Sequence, residues 1–321
     1  MKKITLKDIA ARLGVTVGTV SHVLNGIDDI SPETRKKVLA AAKEMGYIPN
    51  SSAVSLRSGR SNAIAIIVPD VSNPHIAYQV KLIEQKLKEN NYTAIILNTN
   101  EDDETEYNAI VTACSRNVDG ILLCPSQHSR DNIRFLQTAE IPYVLTERYF
   151  EKGDSDYVCA DDVKGGRLAG EWLLSKGCKN PVYIGAYKYI ECSVARFKGV
   201  KEAFNAAGIE LGEDRFYETD PKGDNLSETY KKLISDGVKF DSAVVFSDFI
   251  GFELRSLLGS KAVEVIGFDA VNMHLHIPFP HASIGMKGND WADKALQVLF
   301  EKINGSTERF TKLIDVQLYE F

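Results

Sequence analysis

Apolar residues at helical spacing open the chain. Residues 5–13 form a short amphipathic stretch in which Thr5 and Asp8 are placed as a reciprocal capping pair, and Gly14 supplies a tight turn. Thr16 stands where it caps a second helix, whose inward face carries Val20, Val23 and Leu24 and which Gly26 closes. Two short helices joined by a turn predict a helix-turn-helix, in which the second helix offers its N-terminal side chains to base edges in a major groove. A third helix opens at Ser31-Pro32-Glu33, where a serine cap, a proline at the first helical position and an acid in the first turn agree. It is expected to run to Met45 with Val38, Leu39 and Ala42 facing inward, completing a small all-α head over residues 1–48.

From Asn62 the period changes. Short apolar runs at residues 63–68, 93–97, 120–123, 143–145, 158–160, 182–184, 243–246 and 263–267 read as strands. Between most of them lie amphipathic helices, at 76–89, 104–116, 164–176, 194–207, 226–236 and 249–258. Strands and helices alternating at this pace predict parallel sheets covered on both faces. The run is long for one open sheet, so a body over 62–321 is expected to form two doubly wound α/β lobes. One lobe would span 62–160 and 284–312, the other 161–283 and 313–321, with a ligand cleft where strand C-termini meet. Residues 49–61 join head to body. This stretch reads as a plain flexible linker, or as a hinge that turns helical when two copies pack on DNA, with Leu56 as an apolar wedge in the minor groove.

Charge sharpens the division. The 321 residues carry a net −6, but residues 1–60 hold ten Lys/Arg against five Asp/Glu, leaving an acidic body behind a basic head. That distribution confines phosphate attraction to the head. Early charges at Lys2, Lys3, Lys7 and Asp8 break up any apolar run, and no long apolar stretch follows, so neither a secretory signal nor a membrane span is expected and the protein reads as cytoplasmic. Five scattered cysteines without a Cys-x-x-Cys pair read as reduced thiols, and the six histidines show no metal-binding spacing; no metal and no cofactor is expected. Gly-x-Gly-x-x-Gly, the Gly-x4-Gly-Lys-Ser/Thr phosphate loop and Gly-x-Ser-x-Gly are all missing, so an enzyme has no motif behind it.

Residues 3–60 resemble the DNA-binding head of the lactose-repressor (LacI/GalR) family of bacterial transcription regulators. The resemblance rests on Ile4-Thr5-Leu6-x-Asp8-Ile9-Ala10, Gly14-Val15-Thr16, Thr19-Val20-Ser21-x-Val23-Leu24-Asn25-Gly26, and Gly46-Tyr47-x-Pro49-Asn50-x-x-Ala53-x-x-Leu56. A weaker resemblance extends through Asp70-x-x-Asn73-Pro74, Asp161-Asp162-x-x-Gly165-Gly166, Ser193-x-x-Arg196-x-x-Gly199, Ser247-Asp248 and Gly267-Phe268-Asp269. It implies a body like the periplasmic sugar-binding proteins, with two lobes joined by three crossovers.

Candidate DNA contacts follow. Thr5, Thr16, Thr19, Ser21, Asn25, Ser31, Thr34 and Tyr47 offer short polar groups to phosphate oxygens, which position a head without reading sequence. Val17, Gly18 and His22 lie on the open face of the second helix, Val17 suited to a thymine methyl and His22 to a guanine acceptor. Leu6, Asn50, Ala53 and Leu56 join them through the resemblance. For the effector, Arg196 is the leading candidate, because a guanidinium at a cleft can fork onto hydroxyls or a carboxylate. Asp248 and Asp269 follow strands and accept from hydroxyls; Glu147, Arg148 and Tyr187 are further candidates. His75 replaces the aromatic that many sugar-binding relatives carry, and Arg148 with Lys188 leaves a phosphorylated or acidic ligand open.

These readings predict a sequence-specific regulator, most simply a repressor, controlled by a small sugar-like metabolite and binding a pseudo-palindromic operator as a homodimer. No leucine heptads follow residues 311–321, so a dimer of dimers is not expected. The alternatives are control by a protein corepressor and a ligand-binding module without a DNA role.

Overall fold

The computed structural model describes residues 4–48, 59–153, 155–275, 282–288 and 290–321, in two compact units, Met1–Ser61 and Asn62–Phe321.

The head is a three-helix unit. Helix α1 (Leu6–Leu13) begins with the capping box: the Thr5 amide donates to Asp8 Oδ2 at 2.8 Å, and the Asp8 amide returns to Thr5 Oγ1 at 3.4 Å. Gly14, at φ +63°, ends it. Helix α2 (Val17–Leu24) is capped by Thr16 Oγ1, which accepts from the Thr19 amide at 3.0 Å, and α3 (Pro32–Glu44) by Ser31. Ile9, Ala10, Val20, Val23, Val38, Ala41 and Ala42 form the core. Leu39 corrects the reading of α3. It is 48% exposed while Ala41 takes the buried position, because the face that meets α1 and α2 is centred on the 38–41–42 triangle.

The body holds two six-stranded sheets. β1 (Ala63–Val68), β2 (Thr93–Asn98), β3 (Gly120–Leu123), β4 (Tyr143–Thr146), β5 (Tyr157–Ala160) and β11 (Thr311–Ile314) make the first, in order β11-β5-β4-β3-β1-β2, all parallel. β6 (Pro181–Gly185), β7 (Phe216–Glu218), β8 (Ser242–Val245), β9 (Glu264–Phe268), β10 (Ala282–Met286) and β12 (Val316–Glu320) make the second, in order β12-β10-β9-β8-β6-β7, where only the β10–β12 pair is antiparallel. Runs such as Ala-Ile-Ala-Ile-Ile-Val in β1 are apolar throughout because both faces are covered. Helix α4 (Pro74–Glu89) and α12 (Trp291–Ile303) pack on one face of the first sheet, α5 (Asp103–Ser115) and α6 (Asp131–Thr138) on the other. On the second sheet α7 (Asp162–Ser175) and α8 (Glu191–Ala206) oppose α9 (Leu226–Ser235) and α10 (Asp248–Leu258); the short α11 (Asn272–Leu275) follows β9.

The chain passes between lobes three times: after β5, between β10 and α12, and at Asp315 between β11 and β12. The passages lie side by side, with the Asp161 amide on the Ile314 carbonyl at 3.0 Å and the Lys287 amide on the Asp315 carbonyl at 2.8 Å. The expected changeovers at 284 and 313 fall inside strands and are corrected. β10 stays paired with β9 through Ile284 and with β12 through Met286, and β11 stays paired with β5 through Ile314, so each exchange waits for the last ladder to end. Helices α6, α11 and α12 and strands β7, β10, β11 and β12 are additional to the eight strand runs and six body helices read from the sequence, although Trp291, Ala295, Leu296 and Leu299 already mark an amphipathic face in α12.

Candidate functional site

The two candidate surfaces belong to different units. On the head, Thr16, Val17 and Gly18 are exposed at the N-terminus of α2, Val17 by 40%, and a Cβ at Gly18 would meet no atom closer than 3.5 Å. His22 lies one turn on, half-exposed, its Nδ1 2.7 Å from Asp29 Oδ2, which fixes the ring and leaves its Nε2 edge as the other hydrogen-bonding site. Several hydroxyl candidates are already engaged with one another: Thr16 Oγ1 with Thr19 Oγ1 at 2.9 Å, and Ser31 Oγ with Thr34 Oγ1 at 2.9 Å. Asn25 Nδ2 donates to the Ser21 carbonyl at 2.6 Å. Thr5, in its capping box, is exposed, while Leu6 and Tyr47 pack partly against the head core. Asn50, Ala53 and Leu56 lie outside the described residues.

In the body, segments leaving the C-terminal ends of strands in both sheets converge on a cleft of about 730 Å3, counted with its open mouth. His75 enters from the first turn of α4, where Asn73 Oδ1 caps the helix through the His75 amide at 2.9 Å. Glu147 and Arg148 follow β4, Asp269 follows β9, and Arg196 reaches in from α8. Glu147 (φ +63°) and Asp269 (φ +99°) both hold left-handed backbone conformations, strained for side-chain-bearing residues and typical of positions that a site over-determines.

The charges are paired across the cleft. His75 Nε2 lies 3.1 Å from Glu147 Oε2. Burial pulls the imidazole pKa down, but the carboxylates of Asp269 and Glu147 outweigh it and raise the value to about 9, so His75 is a cation near neutrality. Burial likewise works against ionised Glu147, and His75, Arg196 and Arg148 reverse it, holding that carboxyl below its ordinary range. Arg148 is forked onto Glu101 by two hydrogen bonds of 2.7 Å and is buried. Arg196 Nε donates to Asp162 Oδ1 and Nη1 to the Phe246 carbonyl, both at 2.6 Å, and the guanidinium lies 4.2 Å over the Phe268 ring. Burial pushes Asp162 up to about 6 even beside Arg196, and burial also raises Asp269.

Two candidates lie away from the cleft. Asp248 is fully buried behind it, where Oδ1 accepts from Ser283 Oγ at 2.7 Å and Oδ2 from the Val271 amide at 2.9 Å. The cap at Ser247 turns the first residue of α10 toward β10, so Asp248 braces the loop carrying Asp269 and does not line the cavity. Tyr187 stacks on Tyr189 at 5.4 Å outside the lining, while Tyr189 meets His128 of the other lobe. Lys188 sits over Phe216 in a separate surface groove, so it offers the cleft no charge. Asp70, Asn73, Glu101, Cys124, Cys192, Lys222 and Phe249 line the cleft without having been singled out as site residues. Asp70, Asn73, Glu101 and Cys124 follow β1, β2 or β3, the placement that already singled out Asp269.

Residues 5–50 match the model for bacterial regulatory proteins of the lacI family, and residues 61–253 the model for periplasmic binding proteins and the sugar-binding domain of that family. The chain belongs to the LacI family of bacterial regulatory proteins. It is 30% identical to the HTH-type transcriptional regulator RegA of Clostridium saccharobutylicum over 94% of this chain and 92% of that protein. A solved transcriptional regulator CelR–cellobiose complex is 26% identical with a TM-score of 0.71, covering 99% of this chain and 98% of that one. The Lac repressor bound to ONPG, at 18% identity, shares the fold with a TM-score of 0.84 over 99% of this chain and 98% of that one. As a LacI-family member the chain is a DNA-binding transcriptional regulator with a small-molecule effector. No helix among the described residues is long and apolar enough to cross a membrane.

Proposed function

We propose that the protein is a repressor that binds a pseudo-palindromic operator as a homodimer and releases or tightens its grip when a polar, sugar-like metabolite closes the body cleft. The observation carrying this reading is the convergence of His75 and Glu147 from one lobe with Arg196 and Asp269 from the other, beside three adjacent interlobe passages. A ligand bridging them favours one lobe angle over another, which is the differential contact allostery requires. Val17, Gly18 and His22 are the proposed base-reading positions, with Thr5, Thr16, Thr19, Ser21, Asn25, Ser31 and Thr34 on phosphates. Exposed apolar side chains on β2, α5, α10 and α11 (Ile96, Tyr107, Val111, Leu257, Met273) support pairing of two bodies.

The test begins with operator selection from random duplexes, using the full chain at near-physiological salt, followed by a metabolite screen on the complex. Ligand and DNA affinities are expected to be coupled by about 5–150-fold. Arg196→Ala should keep operator binding and lose the response. An unchanged response in that variant refutes the assignment of the cleft.

A further inference from the structure

Against the interlobe passages lies a second, smaller cavity, about 320 Å3 counted with its opening to solvent, and it shares His75, Glu147, Arg196 and Asp269 with the cleft above. Asp162 and Phe268 complete the walls that matter here. Besides Asp161, whose Oδ1 accepts from the Lys164 amide as the cap of α7, three carboxylates, Glu147, Asp162 and Asp269, thus face two cations, His75 and Arg196. His75 touches Glu147 and Arg196 touches Asp162, whereas the Asp269 carboxylate, although attracted by both cations, makes no ion pair within 4.0 Å among the described residues, so carboxylates outnumber cations. The hydrogen bonding is also incomplete. Asp162 is 5% exposed, and its Oδ2, like Glu147 Oε1, is buried with no partner among the described residues. Buried acceptors are rarely left unsatisfied, and a net buried charge is costlier still. Asp248 does not reach these acceptors, since it faces Ser283 and the Val271 amide and lies outside the cavity lining.

Most of the guanidinium donors, by contrast, are engaged, and Nη2 of Arg196 is the terminal nitrogen left without a hydrogen bond among the described residues. Both terminal nitrogens of Arg148 are held by Glu101, and Arg196 is fixed by Asp162, the Phe246 carbonyl and two phenyl rings. An incoming phosphate or carboxylate would meet the buried carboxylates with only the Nη2 edge of Arg196 to answer it. A neutral hydroxyl would satisfy one acceptor but leave the charge. A protonated amine supplies both charge and donors.

We propose that the effector carries a primary ammonium on a polyhydroxylated ring, as an amino sugar does. The ammonium enters the smaller cavity with Asp162 Oδ2 and Glu147 Oε1 as acceptors, and the ring lies in the upper cleft lined by Ile76, Phe246 and Phe249. This rests on the body cleft being the effector site, and the two statements fail differently.

Thermal shift and titration calorimetry on the full chain near pH 7 should compare D-glucosamine, D-galactosamine and D-mannosamine with the parent hexoses, the N-acetyl derivatives and the 6-phosphates. At least one amino sugar is expected to bind at least about tenfold tighter than its hydroxyl and acetylated counterparts, about 1.4 kcal/mol. Asp162→Asn or Glu147→Gln should erase that preference, with the unliganded melting temperature of each variant reporting whether it has folded. Equal or tighter binding of the neutral, acetylated or phosphorylated forms overturns the proposal, as does no binding by any of the three amines. If an amino sugar binds with the same affinity to Asp269→Asn and Arg196→Ala as to the parent chain, the cleft is not where it binds, and the effector-site reading fails with it.

Discussion

Gly199→Ala is expected to damage the body out of proportion to one methyl group. Helices α7 and α8 cross with their backbones nearly touching: a Cβ on Gly199 would sit 2.0 Å from the Val163 carbonyl oxygen and 2.6 Å from the Arg167 amide, and one on Gly166 would sit 1.9 Å from the Arg196 carbonyl oxygen. Real Cβ contacts stay beyond 3.0 Å, and the obstructing atoms are backbone, so the helices must part by roughly 1 Å. That separation acts on the site, because Asp162 opens α7, Arg196 lies on α8, and their 2.6 Å hydrogen bond would stretch past the useful range. Overpacking costs about 1–3 kcal/mol and weakening a charged hydrogen bond about 1.5–3, so a total near 3 kcal/mol is expected. At about 2–4 °C per kcal/mol for a body of this size, the melting temperature should fall by roughly 6–12 °C, read by calorimetry on the full chain. Gly237→Ala is the control: its φ is +68° with no atom within 4 Å of a Cβ, so it bears only the left-handed backbone cost of about 1–2 kcal/mol. A fall no greater than that of Gly237→Ala refutes the close-crossing argument.

Glu101→Gln leaves the Arg148 guanidinium buried beside a neutral amide and should destabilise the body by about 3–5 kcal/mol in urea unfolding, whereas Glu101→Leu with Arg148→Met should recover most of the loss; equal single and double effects would count against it. His75 binds its proton more tightly folded than unfolded, so its stabilisation is complete below about pH 6.5 and fades as pH rises toward about 9. The melting-temperature advantage of the parent chain over His75→Gln should shrink across that window, and a constant difference would argue against a charged His75. Thr16→Val removes the cap of the reading helix, should cost about 1 kcal/mol of head stability and weaken operator binding, and Thr16→Ser should restore both in fluorescence anisotropy.

Local chemistry was enough for the head and for most elements of the body. Cap residues Thr5, Thr16 and Ser31 and the turn at Gly14 act within a few positions along the chain, so their signals are complete in the sequence. Continuous apolar runs such as those of β1 and β3 announce strands buried on both faces, and eight of the twelve strands fall where such runs stand. Leu39 shows the limit even in the head, because an apolar residue on a helix does not declare which neighbour it will face.

The site divides along the same line. Position after a strand is a sequence property, and it brought Glu147, Arg148 and Asp269 into consideration together with Arg196, while His75 came in through the family resemblance. Whether such a side chain looks into the cleft or away from it depends on a helix cap or loop path set by contacts far off in sequence. Asp248 is drawn to Ser283, 35 positions on; Arg148 is neutralised by Glu101, 47 positions back; and Arg196 is matched by Asp162, 34 positions back. Those pairings, like the points where the chain changes sheets, come from long-range packing and charge neutralisation. The chain text therefore determined what kinds of groups are present and on which elements. Only the folded body decided which charges cancel, which acceptors remain open and hence what a ligand must bring.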